Sequence, residues 1–214
     1  MDAPRPAGSI AAMASPPTLL LVATALLAGC ATAPSRKASP SVARPAAEPP
    51  APVQPASPAA ARRAVETARS LAGQKEIVVG GVSYGDGCAA LVRAAYQQAG
   101  RKLPASAADV RSLHALARSE GSLRRTRPAP GDLIFLSDTP GGQVEHVGLV
   151  EKIGQGGTVT ILHRSGRGVV RWRVNSGQPW KARGDDGQIL NDVLVVGGGR
   201  VSAGRLLVAY ATLL

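Results

Sequence analysis

Cysteine, aromatic residues and acidic residues are all scarce in this chain, and each scarcity removes a class of function. Two cysteines in 214 residues cannot form a disulfide framework, and no Cys-x-x-Cys or His-x-x-x-His pair offers the ligand spacing of a zinc site. One phenylalanine, two tryptophans and three tyrosines leave few rings on which bases could stack, which argues against a nucleic-acid partner. Acidic side chains number 14 against 25 lysines and arginines, for a formal net charge of +11. That balance favours anionic partners, although Arg124, Arg125 and Arg127 read equally well as a solvated basic surface. Long apolar runs are missing too: the only candidate, Thr18 to Leu26, is too short to span a bilayer as a helix. The triple glycine at 197–199 lacks a following Gly-Lys-Ser/Thr and reads as a loop rather than a phosphate-binding turn; no cofactor is expected, and the missing ligand-spaced pairs argue against a metal.

What is present divides into three parts. The apolar stretch followed by Leu27-Ala28-Gly29-Cys30 looks like a bacterial lipoprotein signal over residues 1–29, with Cys30 lipidated as the new N-terminus. The lipid would then hold the chain to the membrane, in the bacterial cell envelope. Ala31 follows Cys30 where aspartate commonly marks inner-membrane retention, so the outer membrane, facing the periplasm, is the expected site. Residues 30–60 are dense in Ala, Pro and Ser; they cannot build a core and read as a disordered tether reaching on the order of 90 Å at ~3.1 Å per residue. Residues 61–214 carry the periodic apolar pattern of one domain without internal repeats.

Within that domain the apolar period is helical first and strand-like afterwards. Helices are expected over Ala61–Ala72, Cys88–Ala99 and Ser106–Glu120, the last opening with a box-like Ser106 and Asp109 pair. Strands are expected over Asp132–Leu136, Val144–Ile153, Thr158–His163 and Val169–Val174, with Gln188–Val196 ambiguous and Leu206–Ala211 a closing strand. This order predicts an α+β fold with an antiparallel sheet.

Cys88, the thiol left unpaired if Cys30 is lipidated, falls at the start of the second helix, where the positive end of the helix favours the thiolate form of a cysteine. The competing reading is a small buried hydrophobe. His114 lies inside the third helix and reads as packing. His146 and His163 flank Ile153-Gly154-Gln155-Gly156, which predicts a two-residue type II′ turn pairing Ile153 with Gly156 and hence His146 with His163. A four-residue loop would leave them diagonal on one face, and a three-residue loop would separate them. Cys88 is then the candidate nucleophile, His146 the base and His163 the residue that orients the His146 ring, with the first N–H groups of the helix as oxyanion donors. Gly148 shares the face of His146 and leaves room for an approaching helix or substrate. A structural histidine pair or a metal site remains the alternative.

Four motifs in this order, Gly87-Cys88-Ala89-Ala90-Leu91-Val92, Pro130-Gly131-Asp132-Leu133-Ile134-Phe135, His146-Val147-Gly148-Leu149-Val150 and Ile161-Leu162-His163, resemble those of the NlpC/P60 cell-wall cysteine peptidases. The resemblance covers roughly residues 61–175. It implies a papain-like fold with N-terminal helices packed on the sheet that carries the histidines. It also implies peptidoglycan as partner and hydrolysis of amide bonds in its stem peptides, commonly the bond between D-glutamate and the next diamino acid. The family usually has Asp-Cys-Ser-Gly at the nucleophile and Tyr-x-Trp-Gly-Gly upstream, whereas this chain has Gly87-Cys88-Ala89-Ala90 and Ile77-Val78-Val79-Gly80-Gly81. Tyr84 and Asp86 are placed to substitute for the missing substrate-binding groups, and loop polarity explains them equally well. Two other functions fit the same residues: a non-catalytic wall-binding lipoprotein that kept the fold, and a thiol amidase or acyltransferase. The sequence names no protein partner.

Overall fold

The computed structural model describes residues 57–214; the expected signal, Cys30 and nearly all of the tether lie outside the described residues. Helix α1 spans Pro58–Ser70, three residues earlier than its apolar pattern suggests. Ser57 caps it by accepting the Ala60 N–H, and Pro58 occupies the first turn, where a missing N–H costs nothing. Helix α2, Cys88–Gln98, buries Ala89 through Val92 and Ala94 through Tyr96, and the Tyr96 hydroxyl donates to the Gly131 carbonyl at 2.9 Å. Helix α3, Val110–Ser119, starts later than expected. Asp109 is its N-cap rather than the third residue of a box begun at Ser106, because the reciprocal bonds run between Asp109 and Ser112.

Among the described residues ten strands occur, β1 (Val78–Val79), β2 (Val82–Ser83), β3 (Leu123–Arg124), β4 (Leu133–Ser137), β5 (Val144–Ile153), β6 (Val159–Ser165), β7 (Gly168–Val174), β8 (Val193–Val196), β9 (Gly199–Ser202) and β10 (Leu207–Ala211). Six form one antiparallel sheet in the order β3-β10-β4-β5-β6-β7. The expected closing strand is therefore central: β10 pairs with both β3 and β4. The glycines at 197–199 turn a tight hairpin between β8 and β9, since Gly197 and Gly198 adopt φ of 57° and 79°, which other residues rarely do.

Alternation along the strands gives the sheet two apolar faces. Leu133, Phe135, Val147, Leu149 and Leu162 pack with the three helices. Ile134, Leu136, Val150, Ile161, Val174 and Tyr210 form a second core with Ala203 and Leu206, flanked by Leu194 and Val196 of the small hairpin. The fold is the α+β, papain-like arrangement that the resemblance implied, with a cysteine-bearing helix packed on an antiparallel sheet that carries both histidines.

The β5–β6 hairpin differs from the expected two-residue turn. Ile153 pairs with Val159 across a five-residue loop, Gly154–Thr158, closed by a bond from the Gly154 N–H to the Thr158 carbonyl at 2.7 Å. Continued without interruption, that odd-length loop would put His146 and His163 on opposite faces. A bulge reverses this. Val150 pairs with Ile161 but Lys152 with Thr160, so Glu151 is the extra residue, and beyond it Gly148 stands opposite His163. His146 is diagonal to His163 on one face. The bulged Glu151 is buried and fixed by Arg69 of α1 at 2.7 Å and Arg171 of β7 at 2.8 Å. Burial alone would raise the Glu151 carboxyl, but the bonds from Arg171 and Arg69 hold it below the usual range.

Candidate active site

Cys88 opens α2 with no capping side chain before it, since Gly87 is the N-cap. The Ala90 N–H bonds the Gly87 carbonyl at 3.0 Å, which leaves the N–H groups of Cys88 and Ala89 without an intrahelical acceptor at the helix end that carries the thiol. The Cys88 Sγ lies 3.8 Å from the Nδ1 of His146 and 3.3 Å from the Arg164 carbonyl, to which the thiol donates. Arg164 was not singled out by the sequence. Its buried guanidinium donates to the Lys75 carbonyl at 2.7 Å and to the Ser165 carbonyl, pinning the end of β6 against the segment that leads to Cys88.

The other nitrogen of His146, Nε2, donates to the Asp138 Oδ1 at 2.6 Å. His163 meets His146 edge-on, with ring centroids 5.2 Å apart at 87°, but its own hydrogen bond runs from Nδ1 to the Val147 carbonyl at 3.2 Å. Trp172 of β7 lies against its face at 4.4 Å. Donor atoms of Cys88, His146 and His163 all fall within 4.8 Å of one another, a grouping that suits thiol chemistry and is also within reach of metal ligation.

The two imidazoles are driven in opposite directions. His146 is raised to about 9, first by its bond to Cys88 and then by Asp138, against the effect of burial. His163 is lowered to about 4, chiefly by burial. Unfolded histidine titrates near 6.5. Below that pH the unfolded chain takes up a proton that folded His163 refuses, so stability should fall between about pH 6.5 and 4, by on the order of 3 kcal/mol from this residue. The His146 contribution is complete below about 6.5 and is lost as pH rises through 9. Melting temperature is therefore expected to peak near pH 6.5, and His163→Gln should flatten the acid side. An acid side equally steep in the variant would contradict the assignment to His163.

The remaining expected site residues are distributed differently. Tyr84 is half-buried against the same apolar cluster as Cys88, with its N–H donating to the Ile77 carbonyl at 2.8 Å. Asp86 is exposed in a shallow depression with Lys75, Glu76 and Arg164. Gly148 is buried, and a Cβ there would sit 2.8 Å from the Leu162 carbonyl, so β6 takes the space expected for substrate. Ile77 is fully buried in the helix-side core. A cleft of about 590 Å³ instead opens beside His146, lined by Asp138, Arg167 and Trp172 and walled by Leu194 and Val196 of β8.

No curated protein matches the chain. An NlpC/P60 family protein from Bacillus cereus ATCC 10987 is 20% identical, with 75% of this chain and 41% of that one covered and a TM-score of 0.44. A protein described as similar to lipoprotein, NLP/P60 family, from Staphylococcus aureus subsp. aureus Mu50 is 20% identical over 55% of this chain and 38% of that one, with a TM-score of 0.36. The chain thus spans well under half the length of either. The model of the NlpC/P60 family matches residues 74–186, just over half of the chain, an interval that takes in Cys88, His146 and His163. The chain belongs to the NlpC/P60 family.

Proposed function

We propose that the chain is a cysteine peptidase that hydrolyses amide bonds in the stem peptides of peptidoglycan. The observation that carries this reading is the Cys88 Sγ at a helix N-terminus, 3.8 Å from the Nδ1 of His146. The family is one of cell-wall peptidases, usually cysteine peptidases, and the chain's excess of basic residues suits an anionic wall polymer. His146 Nδ1 takes the proton of Cys88, and Sγ attacks the carbonyl carbon of the scissile amide. The resulting oxyanion is met by the N–H groups of Cys88 and Ala89 at the start of α2. His146 then protonates the leaving amine, and the C–N bond breaks to leave a thioester. Water, losing its proton to His146, attacks that thioester, releasing the carboxylic acid and restoring the thiol.

In the same reading the chain is held by lipid on Cys30 in the outer membrane, facing the periplasm, with residues 30–60 as the tether. A Cys30→Ala chain that stayed in the membrane pellet would sink the anchor without touching the peptidase.

The test is digestion of isolated peptidoglycan by the full chain, read by product mass. New fragments carrying one added water at a bond within the stem peptide are expected, the D-glutamate to diamino acid bond being the first candidate. One observation favours a second reading, a wall-binding chain without activity: Ile77 and Ala89, at positions where the family has polar groups, are buried at 0% and 2% exposure. Sedimentation with peptidoglycan and unchanged masses would decide for it.

A further inference from the structure

We infer that Asp138, rather than His163, is the positioning residue for His146. The inference rests on the proposed thiol hydrolysis for its rate consequences, but not for its geometry. With Nδ1 turned to the Cys88 Sγ, the partner of Nε2 sets both the tautomer and the rotation of the ring. That partner is the Asp138 Oδ1, at 2.6 Å. His163 does not take this part in the arrangement observed, because both ring nitrogens of His146 are engaged, Nδ1 by Cys88 and Nε2 by Asp138, and the His163 ring meets His146 edge to face while its Nδ1 bonds the Val147 carbonyl.

The fold places Asp138 deliberately. Leu136 is the direct cross-strand partner of His146, and Asp138 follows two residues later, just past the end of β4. A second irregularity in the ladder falls between Leu136 and Ser137, where Ser137 pairs with Val144 and Glu145 is passed over. The turn that begins there is held by the Ser137 hydroxyl, bonded to the Thr139 carbonyl at 2.6 Å and the Leu206 carbonyl at 3.2 Å, and by the Gly142 N–H on the Thr139 carbonyl at 2.9 Å. Asp138 and His146 both line the cleft.

A carboxylate at Nε2 keeps the proton there, leaves the Nδ1 lone pair for the thiol, and balances the imidazolium once that proton has moved. The other charged or titratable groups around His146 are Cys88 from α2, His163 from β6, Arg167 from the β6–β7 turn that lines the same cleft, and Glu145 beside it on β5, which is held by Arg111 at 2.6 Å. None of these offers an anionic acceptor to Nε2, and Asp138 does. It is half exposed, at 57%, so solvent screening limits its effect below that of a buried triad carboxylate.

The experiment follows the His146 C2–H titration by NMR in the full chain and in its Asp138→Ala and Asp138→Asn variants, together with kcat and KM on a purified stem peptide. Asp138→Ala is expected to lower the His146 midpoint by about one unit or more and kcat by roughly 10- to 100-fold, with KM little changed. Asp138→Asn, which keeps an acceptor oxygen without the charge, should lower the midpoint similarly while recovering most of kcat. A midpoint that stays in place in both variants overturns the inference, as does a loss confined to KM. If the wild-type chain cuts no stem peptide, the peptidase reading fails while the titration still decides the role of Asp138. If Asp138→Ala does not fold, Asp138→Asn decides alone.

Discussion

Cys88→Ala is expected to abolish stem-peptide hydrolysis, with a loss on the order of 10⁴-fold or more, and to lower the melting temperature only modestly, through the lost contact with His146. The first half follows from the role proposed for the thiol: without Sγ no thioester forms, and only binding and the helix N–H groups remain to assist water. The second follows from its surroundings. Cys88 is half-buried at the edge of the helix-side core, and its thiol contacts the Arg164 carbonyl at 3.3 Å and the His146 Nδ1 at 3.8 Å. Truncation to a methyl removes one atom from a site already open to water, so little cavity is created. Activity and melting temperature measured on the same preparation separate a chemical role from a structural one. Retention of more than about a hundredth of the wild-type rate, judged against that expected loss, would remove Cys88 as nucleophile.

Removal of residues 207–214 is expected to have the largest effect on stability, abolishing cooperative melting. Those residues supply β10, which pairs with β3 on one side and β4 on the other. Tyr210 and Ala211 are fully buried and point to opposite faces, Tyr210 into the second core and Ala211 into the helix-side core, with Leu213 beside it. Burial of a large apolar side chain contributes roughly 1.5–3 kcal/mol, and the whole domain holds only about 5–15 kcal/mol in reserve. Two ladders would open at once, and Asp132, buried and bonded to the Thr212 hydroxyl at 2.6 Å as well as to Arg124, would lose one partner. Calorimetry of the shortened chain reads the outcome. A single sharp transition within a few degrees of the wild type would show that β10 is dispensable.

Much of this arrangement is visible in the residues alone, and the part that is not has a common cause. The α2 stripe, the alternation in β5 and β6 and the placement of Cys88 all follow from local periodicity, which depends only on neighbours in the chain. Ser57-Pro58 is also a local signal, and it moves the start of α1 ahead of the apolar pattern. Long-range placement is what local pattern cannot give. Nothing in Leu207–Ala211 says that this strand enters between β3 and β4 rather than closing an edge. Likewise, Asp138 looks like any polar residue in a turn after β4, and its bond to His146 appears only once β4 and β5 are in register. The pairing of the histidines on one face was legible, but through a turn that does not form. The loop is longer, and the bulge at Glu151 restores the face that the loop length would have reversed.

That bulge also fixes which changes in chain length this hairpin can absorb. The loop Gly154–Thr158 is exposed apart from Thr158, and such tips ordinarily accept insertions and deletions freely. Here a single added or removed residue can be tolerated only if the loop itself deforms around it. If the ladder slides by one position instead, His163 turns away from His146, and the fold survives without its paired imidazoles. Changes by two residues preserve the face. A lone deletion can also be compatible with it when the bulge at Glu151 disappears in the same step, since a regular ladder with one residue fewer keeps Gly148 opposite His163. Length variation between His146 and His163 should accordingly come in even steps or travel with the gain or loss of the buried carboxylate and the arginines, Arg69 and Arg171, that hold it.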